Sequence, residues 1–540
     1  MVSIPMETLK HQFSDNLLCQ NYEIALKNLI QAVFDSLHEP DSEKLSSLSS
    51  NFDELLQRRV DPPFEAIWVH SALLYRGFSS TGNDPFKRLA AIKDLFQLIA
   101  SFSASYDPFK SIGLIAPVMF NVSRLTVGLK GFEQKPKKEN KFLREVNRLA
   151  DSVLGYISIC CESVENRCYV SEVFLRPVRE LVNVWMWDNR VEDIGDNRCM
   201  RAFFPLLTDE IVERVNGEGC DLSTLAGCVT AEAFLLKLCL RFLEDGSRKE
   251  LQDELRAWII ASITVLQNPY FFETLLMMLL EPSLPTASLL NMDAESYLRK
   301  ILYDAVVLVE YSFLKPERMD QLSAKHVKSI IMARLLVTGE AIEVNRKQKN
   351  QKKAISYTNA FSGSSLPSLI IKWIRSEIGT EDKASEPSSS SPATLLSYIL
   401  KIENGGIRIF DNNMSKTRAK LLLESMTEGF EQPVLKDGKK KSDTDLLFYI
   451  DNKGEEDEEE GDEKMNVSAS DAFVAAARTM QSAEPERKRK GKDSEHKSRV
   501  KFLKYSLHEN SGSKEGRSLI ADSDDSSSES EVENPLTDEE

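Results

Sequence analysis

The chain has 540 residues, of which 42% are hydrophobic, and it carries a formal net charge of −16. That length accommodates a large core, and the acidity is concentrated: the last ninety residues hold 25 acidic and 14 basic side chains, so −11 of the total lies there. The nearly balanced remainder excludes a broadly basic surface for phosphate backbones.

The opening MVSIPMETLKHQFSDN has no charged segment followed by an apolar one, so no secretory leader is expected. Helix after helix is expected from residue 6 to about 350. Leu18, Tyr22, Ala25, Leu29, Ala32 and Val33 follow the three-and-four spacing of one helical face. In DPPFEAIWVHSALLYRGF, Asp61 is expected as the N-cap, Pro62 at the first helical position and Gly77 as the stop. Pro85, Pro108, Pro177, Pro205, Pro269, Pro282, Pro285 and Pro316 mark further starts. Residues 229–243 and 301–314 are apolar nearly all round and need neighbours on more than one flank. The apolar run 255–280 is broken by Gln267, Asn268, Pro269 and Glu273, which predicts two helices joined at Pro269 and no membrane partner. Alternating strand patterns are nearly absent. The expected fold class is all-α, an irregular multi-helix body over residues 1–350.

Residues 351–430 read as a turn-rich linker, with short helices near 368–379, 393–406 and 415–430 that dock on the body. From 431 to 540 the composition is that of a long disordered acidic tail: few apolar residues among Lys, Glu, Ser and Gly runs. The irregular helix pairs with proline punctuation over residues 1–350 resemble armadillo- or HEAT-type arrays. That resemblance implies an α-solenoid; a compact irregular helical domain fits the same pattern, and no repeat of 33 to 47 residues recurs.

The eight cysteines are scattered without a CxxC pair, as befits buried free thiols in a reducing compartment and neither a disulfide framework nor a zinc site. No phosphate-binding loop, nucleophile elbow or HExxH pair occurs, and GEGCDL (217–222) lacks the third glycine of a dinucleotide fingerprint. No catalytic, cofactor-binding or metal-ligating residue is therefore assigned, and a non-enzymatic chain is expected. His70 is expected in a core or interface. Trp185 and Trp187 in NVWMWDNR are candidates for a partner-binding surface, against the simpler reading of indoles packed under a loop. Two basic stretches, KPKKENKFLREVNR (135–148) and NRKQKNQKK (345–353), could meet RNA or DNA phosphates but lack interleaved aromatics.

The tail carries most of the functional signal. Arg487, Lys488, Arg489, Lys490 and Lys492 form a basic cluster that looks like a nuclear localisation signal, read by a nuclear-import receptor. Ser526, Ser528 and Ser530 each precede a Glu by three residues, as acidic-directed kinase sites do, and Ser523 stands in the same run. Leu446, Leu447, Phe448 and Tyr449, and Phe473 with Met480, are apolar islands suited to folding on a partner. Acidic tracts such as GEEDEEEGDE (454–463) accompany nucleolar and chromatin proteins. The expected function is a nuclear, nucleolar scaffold for protein or ribonucleoprotein partners, with ribosome biogenesis as the process. The alternatives are a small-GTPase activator using Arg76 or Arg190 as an arginine finger, and a chromatin- or histone-associated adaptor.

Overall fold

The computed structural model describes residues 21–428, less the short stretches 37–41, 80–83, 104–105, 129–135, 163–173, 187–195, 218–219, 246–248, 379–386, 388 and 412. Every regular element among the described residues is helical. Helix α1 (21–36) forms where the spacing predicts, but its buried line is Leu26, Ile30 and Val33, with Tyr22, Ala25, Leu29 and Ala32 flanking it. The stripe is rotated by a step from the expected one, whose positions still pack on the edge of the core. Helix α2 (Ser42–Gln57) packs on α3 (Phe64–Ser79). Asp61 does not cap α3: the helix starts three residues later, and Asp61 Oδ1 instead lies 2.6 Å from Nζ of the buried Lys110. A buried ammonium needs a partner more than a helix end needs a cap. Gly77 likewise lies inside α3, which runs on to Ser79.

Four helices follow: α4 (Pro85–Ser103), α5 (Pro108–Gly113), α6 (Ala116–Gly128) and the long α7 (Pro136–Glu162). Asp107 caps α5 by accepting from the backbone N–H groups of Phe109 and Lys110 at 2.9 and 3.3 Å. The shorter α8 (Val178–Met186), α9 (Asp196–Phe203) and α10 (Asp209–Asn216) pack on one another in sequence, α8 also on α3.

Helix α11 (Leu222–Asp245) is the centre of the body. Its apolar stretch is buried from Leu222 to Leu240 except at Thr224, covered by α5, α6, α7 and α13 (Pro269–Leu280). Two close approaches bring these helices in. At Gly113 an added Cβ would sit 3.2 and 3.3 Å from Phe64 and Leu225 side chains, and at Gly227 it would meet the Tyr270 carbonyl carbon at 2.6 Å. Helix α12 (Lys249–Leu266) is separated from α13 as the sequence predicts. Gln267 turns through a φ of 43°, the Asn268 side chain accepts from Tyr270 and Phe271 N–H, and Pro269 takes the first helical position.

Helix α14 (Met292–Leu308) ends six residues short of the predicted 314. The Tyr311 hydroxyl donates to the Ala305 carbonyl at 3.0 Å, folding the chain back into a 3-10 turn (Ser312–Leu314), α15 (Pro316–Met319) and α16 (Ala324–Lys347). Beyond α16 the stretch expected to be rich in turns opens with helix α17 (Gln351–Ser362). Ala354, Tyr357 and Phe361 bury one face, and the Tyr357 hydroxyl and Lys353 Nζ reach Asp304 Oδ1 at 2.6 and 2.8 Å. The short polar residues between them hid this helix in the sequence. Helices α18 (Leu366–Ile378), α19 (Pro392–Asn404) and α20 (Asn413–Glu428) all lie against α16. Met426 and Leu422 of α20 seat at Gly339, and Arg418 Nε pairs with Glu340 Oε1 at 3.0 Å.

Two rows of neighbours result. In one, α4 touches α7, α7 touches α12, α12 touches α14 and α14 touches α17. In the other, α5 and α6 touch α11, α11 touches α13, α13 touches α16 and α16 touches α20. The rows meet through the α4–α6, α7–α11, α14–α16 and α16–α17 contacts.

Candidate functional site

The most concentrated buried polar chemistry lies where α10, α11, α13 and α16 converge. Glu273 interrupts the apolar helix α13 and is 4% exposed at its side chain. Arg214 Nη2 of α10 lies 2.7 Å from its Oε1, and His326 Nδ1 of α16 lies 2.8 Å from its Oε2. The His326 ring stands edge-on to Tyr270, with centroids 4.7 Å apart. Burial works against the Glu273 carboxylate, but the His326 hydrogen bond and the Arg214 charge prevail and hold it below the usual carboxylate range. Burial likewise opposes the Arg214 charge, and Glu273 more than compensates, raising it.

The space beside this cluster, lined by Ile211, Arg214, Thr224, Cys228, Tyr270 and Glu273 among others, amounts to about 10 Å³ for water-sized spheres. That is room for one water and not for a substrate. Burial pushes the neighbouring Cys228 thiol up to about 12, and Cys161 equally, which disfavours the thiolate at both. The cluster can hold three helices in register, with Arg214 at its outer edge.

A second buried acid stands alone. Glu232 of α11 is fully enclosed and accepts from the Leu206 backbone N–H at 3.2 Å, and burial raises it to about 8. Between about pH 4.5 and 8 the folded chain holds a proton that the unfolded chain has released. Stability therefore falls as pH rises through that window. Glu232→Gln, whose amide oxygen can still accept from Leu206, is expected to flatten this decline in urea melts at pH 5, 6.5 and 8. An unchanged slope would contradict it.

The residues singled out in the sequence fall in several places. Trp185 is half-buried at the end of α8, its indole edge-on to Trp68 at 6.3 Å and tilted against Tyr75 at 5.7 Å. It thus joins the aromatic cluster of Trp68, Phe64 and Phe203, in which Trp68 Nε1 donates to the Leu181 carbonyl at 2.9 Å. Trp187 and Arg190 lie outside the described residues. His70 is 1% exposed, with Nε2 2.9 Å from Asp53 Oδ1; burial lowers its pKa, partly offset by the Asp53 charge. Arg76 is not a projecting finger: it is half-buried and its guanidinium donates to the Val184 carbonyl.

The two basic stretches differ in character. On α7, Lys138, Lys141, Arg144 and Arg148 are exposed, but Glu145 stands among them, paired to Lys93 at 2.8 Å and to Arg148 at 2.6 Å. Phe142, Val146 and Leu149 bury the opposite face, so this is the solvated side of an amphipathic helix. At the α16–α17 corner no acid interrupts the run from Asn345 to Lys353. The localisation cluster Arg487–Lys492, the serines 523–530 and the islands at Leu446–Tyr449, Phe473 and Met480 lie outside the described residues.

Sequence reasoning missed the Arg214–Glu273–His326 cluster, although a lone acid in PYFFETLLMMLL was a signal that a partner must exist. Comparison of the chain with protein-family models, with curated proteins and with solved structures found no match.

Proposed function

We propose that this chain is a non-enzymatic α-helical scaffold that works in the nucleus, in the nucleolus in particular, and binds protein or ribonucleoprotein partners, with ribosome biogenesis as its process. The observation that carries this reading is the packing of α4, α7, α12, α14 and α17 in one row against α5, α6, α11, α13, α16 and α20 in another. Stacking of this kind is how an α-solenoid buries its core, and it leaves long helical faces for a partner. The polar clusters inside the body link helices, as Asp304 does for α17 and Glu273 does for α10 and α16. The basic cluster 487–492 supports the compartment, and the apolar islands near 446–449 and 473–480 support docking beyond the helices.

Replacing Arg487, Lys488, Arg489 and Lys490 together by alanine is expected to reduce the nuclear-to-cytoplasmic ratio several-fold in live-cell imaging, while the circular dichroism and melting temperature of the purified chain stay the same. An unchanged ratio sinks the assigned address.

A further inference from the structure

We propose that the basic corner joining α16 to α17 is the docking surface for the chain's own acidic tract, residues 454–463. The corner NRKQKNQKK holds five cations and no acid. Its geometry is fixed by a tight helix ending: Lys349 N–H bonds the Arg346 carbonyl at 2.9 Å, and Asn350 N–H bonds the Asn345 carbonyl at 2.8 Å. Asn350 then caps α17 by accepting from Lys353 N–H at 3.1 Å. In this motif the turning position belongs to glycine, yet here Lys349 occupies it with a φ of 60°. A lysine in the left-handed region is strained, and the strain points to a use for its charge. Lys347, Gln348, Lys349, Asn350, Gln351 and Lys352 are all exposed, so ammonium and amide donors share one convex turn. Acids from the flanks temper it, among them Glu343 at 3.3 Å from Lys347 and Asp304 at 2.8 Å from Lys353.

Two further facts select the occupant. Arg346 Nη1 donates to the Met426 carbonyl at 3.3 Å, so the last turn of α20, from which the chain departs at Glu428, is tied to this same corner. The tract GEEDEEEGDE, with eight acids in ten residues, begins within thirty residues of that point. A stretch of that length spans at most about 100 Å and keeps the tract on the same chain as the corner, so its binding is intramolecular. Weak carboxylate–ammonium complementarity then suffices for occupancy. The basic face of α7 is a poorer complement because Glu145 stands within it. The consequence is self-covering: the tract occupies the surface that an external polyanion would need.

Zero-length carbodiimide coupling of the full chain, read by peptide mass spectrometry, tests this. The expected result is amide links from Lys347, Lys349 or Lys352 to the acids between Glu455 and Glu463, falling at least five-fold in high salt. The links are also expected to be lost when all eight acids of the tract are replaced by their amides. Lys349→Gly provides the structural control. It relieves the left-handed strain, so the melting temperature is expected to hold or rise while links to the corner fall. Links confined to Lys436–Lys441 or to the α7 lysines overturn the proposal. So does a chain without corner links whose Lys347, Lys349 and Lys352 instead retain a polyuridine probe.

Discussion

Replacing Glu273 by alanine is expected to destabilise the body by about 4 kcal/mol, because it leaves the His326 and Arg214 groups without their shared carboxylate in a nearly dry site. The cost should fall mainly on the α10–α13–α16 junction, since the other links of these helices do not involve Glu273. Converting Glu273, Arg214 and His326 together to apolar side chains of similar volume is expected to recover most of the loss, as buried ion clusters fix register more than they add stability. The pH dependence has a definite sign. The folded carboxyl sits below its ordinary range, so its contribution is fully present above about pH 4.5 and disappears as the pH falls through the folded value. Urea melts of the two variants and the parent at pH 7 and pH 4 check both statements. An alanine variant as stable as the parent at pH 7 contradicts the assignment.

The second large effect is steric. At Gly227 an added Cβ would sit 2.6 Å from the Tyr270 carbonyl carbon and 2.7 Å from its oxygen, both backbone atoms that no rotamer change can move. Gly227→Ala is therefore expected to cost about 3 kcal/mol by forcing the start of α13 off α11, although alanine favours a helix interior over glycine by about 1 kcal/mol. Gly155 of α7 supplies the matched control, since nothing lies within 4 Å of its added Cβ. There Gly155→Ala is expected to stabilise by about 0.5 to 1 kcal/mol. Opposite signs in denaturant midpoints would confirm the close crossing; two stabilising substitutions would contradict it.

Much of the helical plan is legible in the sequence because its signals are local. Asn268 and Pro269 mark the start of α13 with a cap and a first-turn proline, and the apolar circumference of α11 foretells its central place. Helix α17 was hidden for the opposite reason. ISYTNAFS has weak propensity, and what holds it is Asp304, some fifty residues upstream, accepting from Tyr357. Asp61 misleads in the same way: a cap by local rules, it is claimed by Lys110 across space. The Arg214–Glu273–His326 cluster draws on three helices, so no spacing rule could assemble it. For Trp185 the sequence left two readings, a partner-binding surface and an indole packed under a loop, because Trp68 and Tyr75 come within reach of its ring only once α3 meets α8.

The scaffold reading is tested most directly by proximity labelling in cells. Three forms are compared: the full chain, the chain ended at residue 430, and that shorter chain carrying a foreign import signal. The account predicts nuclear ribonucleoprotein or assembly proteins around the full chain, their loss on truncation, and recovery of the helical body's share of them once import is restored. Labelling of cytoplasmic neighbours by all three forms, or a restored nuclear body with no specific neighbours, would contradict it.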